Sequence, residues 1–235
     1  MSRSFRHWSV RYFWDRLVYA VQRARRPDAP WITMAATGFL DEWLRPDDVG
    51  VEWGSGRSTL WLARRVSRLV SIEHNPQWYR KTSDELARMG LDNVEYLLAE
   101  VAQSEQGSAD HPYVTSALKA PKDGVDFVFI DGVLRDHCAS LALKLLKPGG
   151  LLIIDNVDRH LPHATRNPLA IGQRGRPSSP LWAEVHEQIK PWRHYWTTNG
   201  FFDTAFYFRP TTPLTDDQPR GASPWNAAFF GPEPP

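Results

Sequence analysis

The sequence predicts an α/β fold, in which a doubly wound and mostly parallel sheet ends in an antiparallel hairpin. From residue 45 onward, short apolar runs alternate with segments of helical period. This alternation is typical of parallel strands joined by right-handed helical crossovers. Acidic residues also follow four of the apolar runs, at Glu52, Glu73, Asp131 and Asp155. Because charges at the ends of buried strands are costly unless paired or used, we expect a ligand site at that edge of the sheet.

The predicted elements follow one another in a regular order. An N-terminal helix ends before Pro27, and a second helix covers 33–44. Strands are expected from about residue 49 and at 69–73, 93–98, 125–131 and 151–155, with helices at 58–66, 76–89, 135–146 and 181–189. A short helix is expected near 113–119. Residues 194–198 and 204–208, separated by Asn199-Gly200, predict an antiparallel hairpin at the sheet edge.

The domain organisation is expected to be one large domain with appendages. Residues 1–44 form an N-terminal helical cap, 45–209 a Rossmann-like domain, and 210–235 an extended tail rich in proline. Residues 158–180 have no apolar period and combine histidines and arginines with proline, glycine and serine. We interpret them as a loop after the fifth strand and a candidate lid.

Composition and charge narrow the class of partners. The formal net charge is +1, so no nucleic-acid partner is expected. Residues 1–26 nevertheless carry seven arginines and one acid among several aromatic residues. The favoured interpretation is a basic amphipathic helix packed on the domain; contact with a membrane or a nucleic acid is the less favoured alternative. The single cysteine and the lack of a signal-like apolar stretch make a cytoplasmic location the default expectation.

The stretch 49–59 carries the first functional motif, an apolar strand that stops at Gly54 and Gly56 and leads into a helix. Such a turn lets a ligand approach the backbone and the unpaired N–H groups of the helix. The dinucleotide fingerprint has a third glycine where this chain has Thr59. Together with Glu52, the motif resembles the cofactor loop of class I S-adenosylmethionine-dependent methyltransferases, which implies that Glu52 helps to hold the methionine end of the cofactor.

A second carboxylate, Glu73, follows Gly54 by 19 residues at the end of the next strand. A carboxylate there can accept hydrogen bonds from both ribose hydroxyls; the alternative is an acid that caps the following helix. The predicted cofactor-binding set is Glu52, Trp53, Gly54, Ser55, Gly56, Ser58, Thr59, Glu73, His74 and Asp131.

Asp131 and the pair Asp155-Asn156 end two strands that should be adjacent. Three oxygen ligands at one edge would suit a hard cation such as Mg²⁺. The spacing resembles the metal-dependent O-methyltransferases of the catechol type, whose ligands are two aspartates and an asparagine at these strand ends. That no metal is bound stays an open alternative, since metal-free methyltransferases also keep acids there.

The general base is less clear, because the catechol-type enzymes place a lysine soon after the first aspartate and this chain has none there. His137 is the predicted base beside a catalytic Asp131, and His160 or His163 from the lid are alternatives. Arg135 is expected to bind an anionic substrate group. The alternative is that Arg135 and His137 simply belong to a packed helix.

The sequence as a whole predicts O-methylation of a small molecule with S-adenosylmethionine as the donor, assisted by a divalent cation if one is bound. Two other functions remain as alternatives, a nicotinamide-dependent oxidoreductase and a non-catalytic binding protein. The edge hairpin and the aromatic residues of the tail make a homodimer plausible.

Overall fold

The computed structural model describes residues 9–102 and 107–212. Within them, seven strands form one mixed sheet: β1 (Val49–Trp53), β2 (Arg68–Glu73), β3 (Val94–Leu98), β4 (Val125–Ile130), β5 (Leu146–Asp155), β6 (Arg193–Thr198) and β7 (Asp203–Phe208). The strand order is β3-β2-β1-β4-β5-β7-β6. The first five strands run parallel, and β7 pairs antiparallel with both β5 and β6. The predicted sheet and its edge hairpin are confirmed.

Seven helices connect the strands or precede them: α1 (Val10–Arg25), α2 (Met34–Trp43), α3 (Arg57–Ala63), α4 (Pro76–Arg88), α5 (Pro112–Thr115), α6 (Arg135–Leu145) and α7 (Pro180–Ile189). Their starts follow local chemistry. Side chains of Ser9, Thr33, Asn75 and Ser179 accept hydrogen bonds from backbone N–H groups of the first turns, which satisfies donors that a helix start leaves unpaired.

The core lies on both faces of the sheet. Trp53, Tyr113 and Ile130 belong to the cluster under α5, α6 and α7, while Trp61 and Phe127 belong to the cluster under α2 and α3. All five are fully buried. Because helices cover both faces, the carboxyl ends of the parallel strands form the open edge at which a ligand can bind.

One predicted turn is part of a strand in the structure, and the predicted tail can hardly be compared. The predicted turn at 147–150 is part of a longer β5, where Leu146 pairs with Val125 before the register shifts; the bulge lets Gly149 take a φ of 84° without ending the strand. The predicted tail at 210–235 lies almost wholly outside the described residues. No helix of the described part combines the length and hydropathy needed to cross a membrane.

Candidate functional site

The glycine loop between β1 and α3 lies at the carboxyl edge of the sheet. Gly54 has a φ of 92°, and a Cβ placed on it would lie 2.5 Å from the backbone nitrogen of Gly132 after β4. Positive φ is costly for residues with a side chain, and the neighbouring backbone leaves no space for one. A glycine is therefore required at this turn for two independent reasons.

Glu52 lies fully buried beneath this loop. Its Oε2 accepts hydrogen bonds from the hydroxyls of Thr59 and Ser71, each at 2.6 Å. The Thr59 hydroxyl accepts in turn from the backbone N–H of Gly56 at 2.9 Å. Burial raises the pKa of Glu52 to about 7. Glu52 holds the loop on the sheet and does not line the cavity beside it, and its predicted contact with the cofactor stays a prediction.

Trp53, Ser58 and Thr59 were also predicted to bind the cofactor, and the structure places all three in the interior. The indole Nε1 of Trp53 donates to the carbonyl oxygen of Tyr113 at 2.9 Å. Side chains alternate between the two faces of a strand, so Trp53 points into the core while its neighbours form the turn. These three residues shape the loop from within.

Glu73 ties the glycine loop to the start of α4. Its Oε2 accepts from the backbone nitrogen and the hydroxyl of Ser55 at 3.0 and 2.7 Å. Its Oε1 accepts from the backbone nitrogens of His74 and Asn75 at 2.9 and 2.7 Å. Burial alone would raise the pKa of Glu73, but hydrogen bonds from the His74 side chain, the Asn75 backbone and Ser55 outweigh it and lower the pKa. The carboxylate is therefore ionised, and it lies between the glycine loop and the backbone that leads into α4.

A cavity of about 530 Å³ opens between these loops and the end of β4. Its size falls within the range of small-molecule sites. Five of the predicted cofactor-binding residues line it, together with residues of α4 and of the turn after β4: Gly54, Ser55, Glu73, His74, Asp131, and Asn75, Gln77, Trp78, Lys81, Gly132 and Val133. The structure thus brings the glycine loop, Glu73 and Asp131 around one space.

Asp131 follows the last residue of β4 and Asp155 ends β5, and these two strands are neighbours in the sheet. Burial and the neighbouring Asp131 raise the pKa of Asp155 well above its usual range. The Oδ1 of Asp155 accepts from the Thr204 hydroxyl on β7 at 2.6 Å. The antiparallel hairpin therefore supplies a partner for a carboxyl group that the parallel strands leave buried.

Arg135, at the start of α6, reaches across both strand ends. Its Nη2 donates to the carboxylate and the carbonyl oxygen of Asp131 at 3.0 and 2.9 Å. Its Nε donates to the carbonyl oxygen of Gly132 at 2.7 Å, and its Nη1 donates to the carbonyl oxygen of Asp155. One guanidinium thus pairs with the carboxylate of Asp131 and links the backbone of the two strand ends.

These contacts bear on the predicted Mg²⁺ site at Asp131, Asp155 and Asn156. The three residues do lie on adjacent strand ends, but the guanidinium of Arg135 already contacts the carboxylate of Asp131 and the backbone carbonyl oxygen of Asp155. One oxygen of Asp155 is committed to Thr204. Elsewhere, the described residues contain no group of three or more His, Cys, Asp or Glu side chains that could hold a metal. The residues present fit a divalent cation poorly, since oxygen ligands must turn toward the ion.

A second cavity, of about 430 Å³, adjoins the first and shares Gly132 and Val133 with it. The rings of His160 and Trp182 form one wall, stacked with centroids 5.1 Å apart. Burial, with a contribution from Arg135, lowers the pKa of His160 to about 4, so its imidazole is neutral at pH 7. The remaining wall residues come from the start of α6 and of α7: Leu134, Arg135, Asp136, Ser178 and Ser179.

The structure places the three candidate histidines, His137, His160 and His163, in different surroundings. The ring of His137 lies beside Gly107 and lines neither cavity. His163 stacks on Trp196 of β6, with centroids 4.1 Å apart, and also lines neither. His160 lines the second cavity together with Arg135, and the identity of the proton acceptor stays a prediction.

Several residues of the site were missed from the sequence. Trp78 and Lys81 line the first cavity, and Trp182 lines the second. Trp78 also donates from Nε1 to the carbonyl oxygen of Ser55 at 2.7 Å. Its place in the first turn after Glu73 was the available signal, but helical periodicity alone does not separate a core tryptophan from one at a cavity wall.

Comparison with known proteins gives a consistent result. Residues 51–157 match the family model described as a methyltransferase domain, whereas no curated protein matches the chain. The fold is similar to an O-methyltransferase from Bacillus cereus in complex with S-adenosylhomocysteine, with 20% identity over 82% of this chain and 90% of that chain and a TM-score of 0.54. It is also similar to a putative caffeoyl-CoA O-methyltransferase from Staphylococcus aureus, with 16% identity over 80% and 89% and a TM-score of 0.52. A putative rRNA methylase from Clostridium thermocellum shares 13% identity over 76% and 96%, with a TM-score of 0.50.

Proposed function

We propose that this chain, which is an S-adenosylmethionine-dependent methyltransferase of class I, methylates a hydroxyl group of a small molecule. The observation that carries the proposal is the pair of adjoining cavities: the first is built from the cofactor loop and Glu73, and the second opens directly from it. The two O-methyltransferases among the similar structures support the choice of oxygen as the acceptor.

The first cavity is the proposed cofactor site. Glu73 is ionised and would accept hydrogen bonds from the ribose hydroxyls in exchange for present donors such as the Ser55 hydroxyl, while the backbone at Gly54 and Ser55 leaves space for the amino-acid part. Asp131 lines the same cavity and would face the bound cofactor near the reacting end. When bound, S-adenosylmethionine supplies an electrophilic methyl group on a sulfonium centre.

The second cavity is the proposed acceptor site. The stacked pair His160 and Trp182 offers a flat wall for a planar acceptor. His160 is neutral and would accept the hydrogen bond of the acceptor hydroxyl; because its pKa of about 4 makes it a weak base, the proton would pass on to solvent as the oxygen attacks the methyl group. Arg135 places a fixed positive charge beside that oxygen, which favours its ionised form.

We derive no step through a metal, since Arg135 holds the strand ends together. The oxidoreductase alternative loses its support because residues 51–157 match a methyltransferase domain. An rRNA substrate is not favoured either: the net charge of +1 provides little attraction for a polyanion, and the acceptor cavity has the volume of a small molecule.

The test combines binding and turnover. Calorimetric titration of the purified chain with S-adenosylhomocysteine and, separately, with NADH should show binding of the first compound and none of the second. The chain is then incubated with S-adenosylmethionine and a panel of phenols, catechols and aliphatic alcohols, and products are sought by mass spectrometry. We expect methyl ethers from planar hydroxylated acceptors. Absence of S-adenosylhomocysteine binding, or methylation at nitrogen or carbon only, would overturn the proposal.

A further inference from the structure

Helix α1 turns its apolar side to solvent. The exposed fractions of Val10, Trp14, Leu17 and Val21 are 89%, 64%, 56% and 43%. With 100° between successive residues of a helix, these four positions fall within an arc of about 60°, along about 16 Å of the helix axis. Large apolar side chains aligned on one exposed stripe differ from the scattered apolar residues that a soluble surface normally carries.

The opposite side of α1 packs on the domain with polar and aromatic groups. Tyr12 is buried, and Tyr19 contacts Phe201 and Phe202 with ring centroids 5.5 and 5.3 Å apart. Arg16 lies over the ring of Phe201 at 5.1 Å. The usual arrangement of a surface helix, apolar inside and polar outside, is therefore reversed. The tyrosine side holds the helix in place, so the apolar stripe is not needed for folding.

Positive charge borders the stripe. Arg11 and Arg25 are exposed and lie at about 100° and 60° on the same helical projection. Neither has an acidic partner among the described residues. The one acid of the helix, Asp15, lies on the packed side, 3.6 Å from the guanidinium of Arg166. The solvent-facing side of α1 therefore combines apolar side chains with uncompensated arginines.

We propose that α1 docks this protein on an anionic lipid surface, with Trp14 and Leu17 entering the interface and Arg11 and Arg25 contacting lipid headgroups. Tryptophan and leucine on one side of a helix with arginines beside them are the features of helices that lie in the membrane plane. Headgroups of negative charge complement the arginines.

A second copy of the chain is the less favourable occupant. A two-fold contact through this stripe would place the arginines of one helix beside those of the other. The exposed side has no acid within α1 to offset that repulsion, because Asp15 faces inward. Charge complementarity thus favours the lipid over self-association.

The docking surface lies near the strand ends. The inner side of α1 packs on Phe201 and Phe202 in the turn between β6 and β7. Because Thr204 at the start of β7 pairs with Asp155 at the end of β5, this turn lies at the sheet edge that carries Asp155. Docking would hold that edge toward the lipid. The proposal itself needs only the surface of α1 and does not depend on the reaction that the chain catalyses.

Vesicle co-sedimentation of the full chain tests the proposal. We expect binding to vesicles of phosphatidylcholine mixed with phosphatidylglycerol, weaker binding to phosphatidylcholine alone, and release by high salt. Arg11→Glu should weaken binding about five-fold or more, and Leu17→Ser about ten-fold. The matched controls are Arg80→Glu on α4 and Leu118→Ser, which are exposed on other elements and should leave binding unchanged.

Three outcomes would overturn the proposal. The first is no sedimentation with either vesicle. The second is equal loss in the control variants, which would indicate non-specific adsorption. The third is a dimer, measured by light scattering, that Leu17→Ser converts to a monomer, because the stripe would then be a contact between copies. Unfolding temperatures of all variants should agree with that of the parent, since the substituted side chains are exposed.

Discussion

Thr59 stands where the dinucleotide fingerprint has its third glycine, and its hydroxyl makes contacts that a glycine would lack. It accepts from the N–H of Gly56 and donates to Glu52. The loop conformation therefore depends on the buried carboxyl group of Glu52 in β1, and Thr59 and Glu52 are needed together. The departure from the fingerprint, visible in the sequence, reflects a different way of holding the same turn.

Glu52 should give the protein a measurable dependence of stability on pH. Its pKa is about 7 in the folded chain, against an ordinary value of 4.5. Between these values the folded chain binds more protons than the unfolded chain, so the free energy of unfolding should fall as pH rises through this window. Glu52→Gln should remove the contribution of Glu52, on the order of 3 kcal/mol across the window, while the buried Asp131 and Asp155, whose pKa values are also raised, keep their own contributions.

Urea unfolding of the parent and of Glu52→Gln at several pH values provides the measurement. Glu42→Gln, at an exposed position of α2, is the control and should keep the parent dependence. Equal slopes for the parent and Glu52→Gln would show that Glu52 ionises normally.

Glu73 should contribute to cofactor affinity through its charge. Glu73→Gln keeps the size of the side chain but loses the negative charge that two ribose hydroxyls would contact. We expect the dissociation constant of S-adenosylhomocysteine to rise roughly ten-fold or more, since hydrogen bonds to charged groups are the stronger kind. Calorimetric titration checks this, with Glu85→Gln on the exposed side of α4 as the control. An unchanged dissociation constant would contradict the ribose assignment.

At the level of elements, the site depends on how β4, β5 and α6 meet. Each strand ends in an aspartate, and Arg135 on the helix contacts the backbone of both ends. Because neighbouring parallel strands end close together, Asp131 and Asp155 lie near each other. The positive charge of Arg135 at the start of α6 reduces the repulsion between them.

Arg135 should be required for the stability of this junction. Arg135→Lys retains the charge but cannot reach three carbonyl oxygens at once, so we expect the unfolding temperature to fall by about 5 °C. In the parent, Mn²⁺ or EDTA should change neither the unfolding temperature nor the affinity for S-adenosylhomocysteine. Arg80→Lys is the matched control. Stabilisation of the parent by Mn²⁺ would show that a metal binds despite the guanidinium.

The segment between β5 and α7 forms much of the proposed acceptor site, as expected of a loop that follows a strand end. It is anchored by Asp158, whose carboxylate accepts from the backbone nitrogen of Asp203 and from Asn167, each at 2.9 Å. That anchor places His160 against Trp182. Whether the segment also moves as a lid stays a prediction.

His160 should act in turnover and not in cofactor binding. His160→Phe keeps a ring to stack on Trp182 but cannot accept a proton, so we expect kcat to fall by about 100-fold with an unchanged affinity for S-adenosylhomocysteine. His186→Phe on α7, outside both cavities, should leave kcat unchanged. Steady-state kinetics with an identified acceptor decides the matter, and a parent-like kcat in His160→Phe would exclude the imidazole as the base.

For the whole molecule, the near-zero net charge conceals an uneven distribution. The arginines of α1 are balanced by acids elsewhere in the chain, including those at the strand ends. The sequence favoured packing of this helix on the domain over contact with a membrane. The structure supports packing through Tyr12 and Tyr19, and its exposed stripe leaves the other side available.

The sequence by itself determined the sheet, the hairpin, the glycine turn and the strand-end acids, because these depend on local periodicity and on residues with special backbone preferences. Only the tertiary structure decided which side chains meet. Glu52 and Trp53 are both buried because adjacent positions of a strand face opposite sides of the sheet and helices cover both sides. The structure brings Arg135 to the strand ends proposed for a metal, and it brings His160 rather than His137 to a cavity wall, because contacts between residues far apart in sequence depend on how helices dock on the sheet.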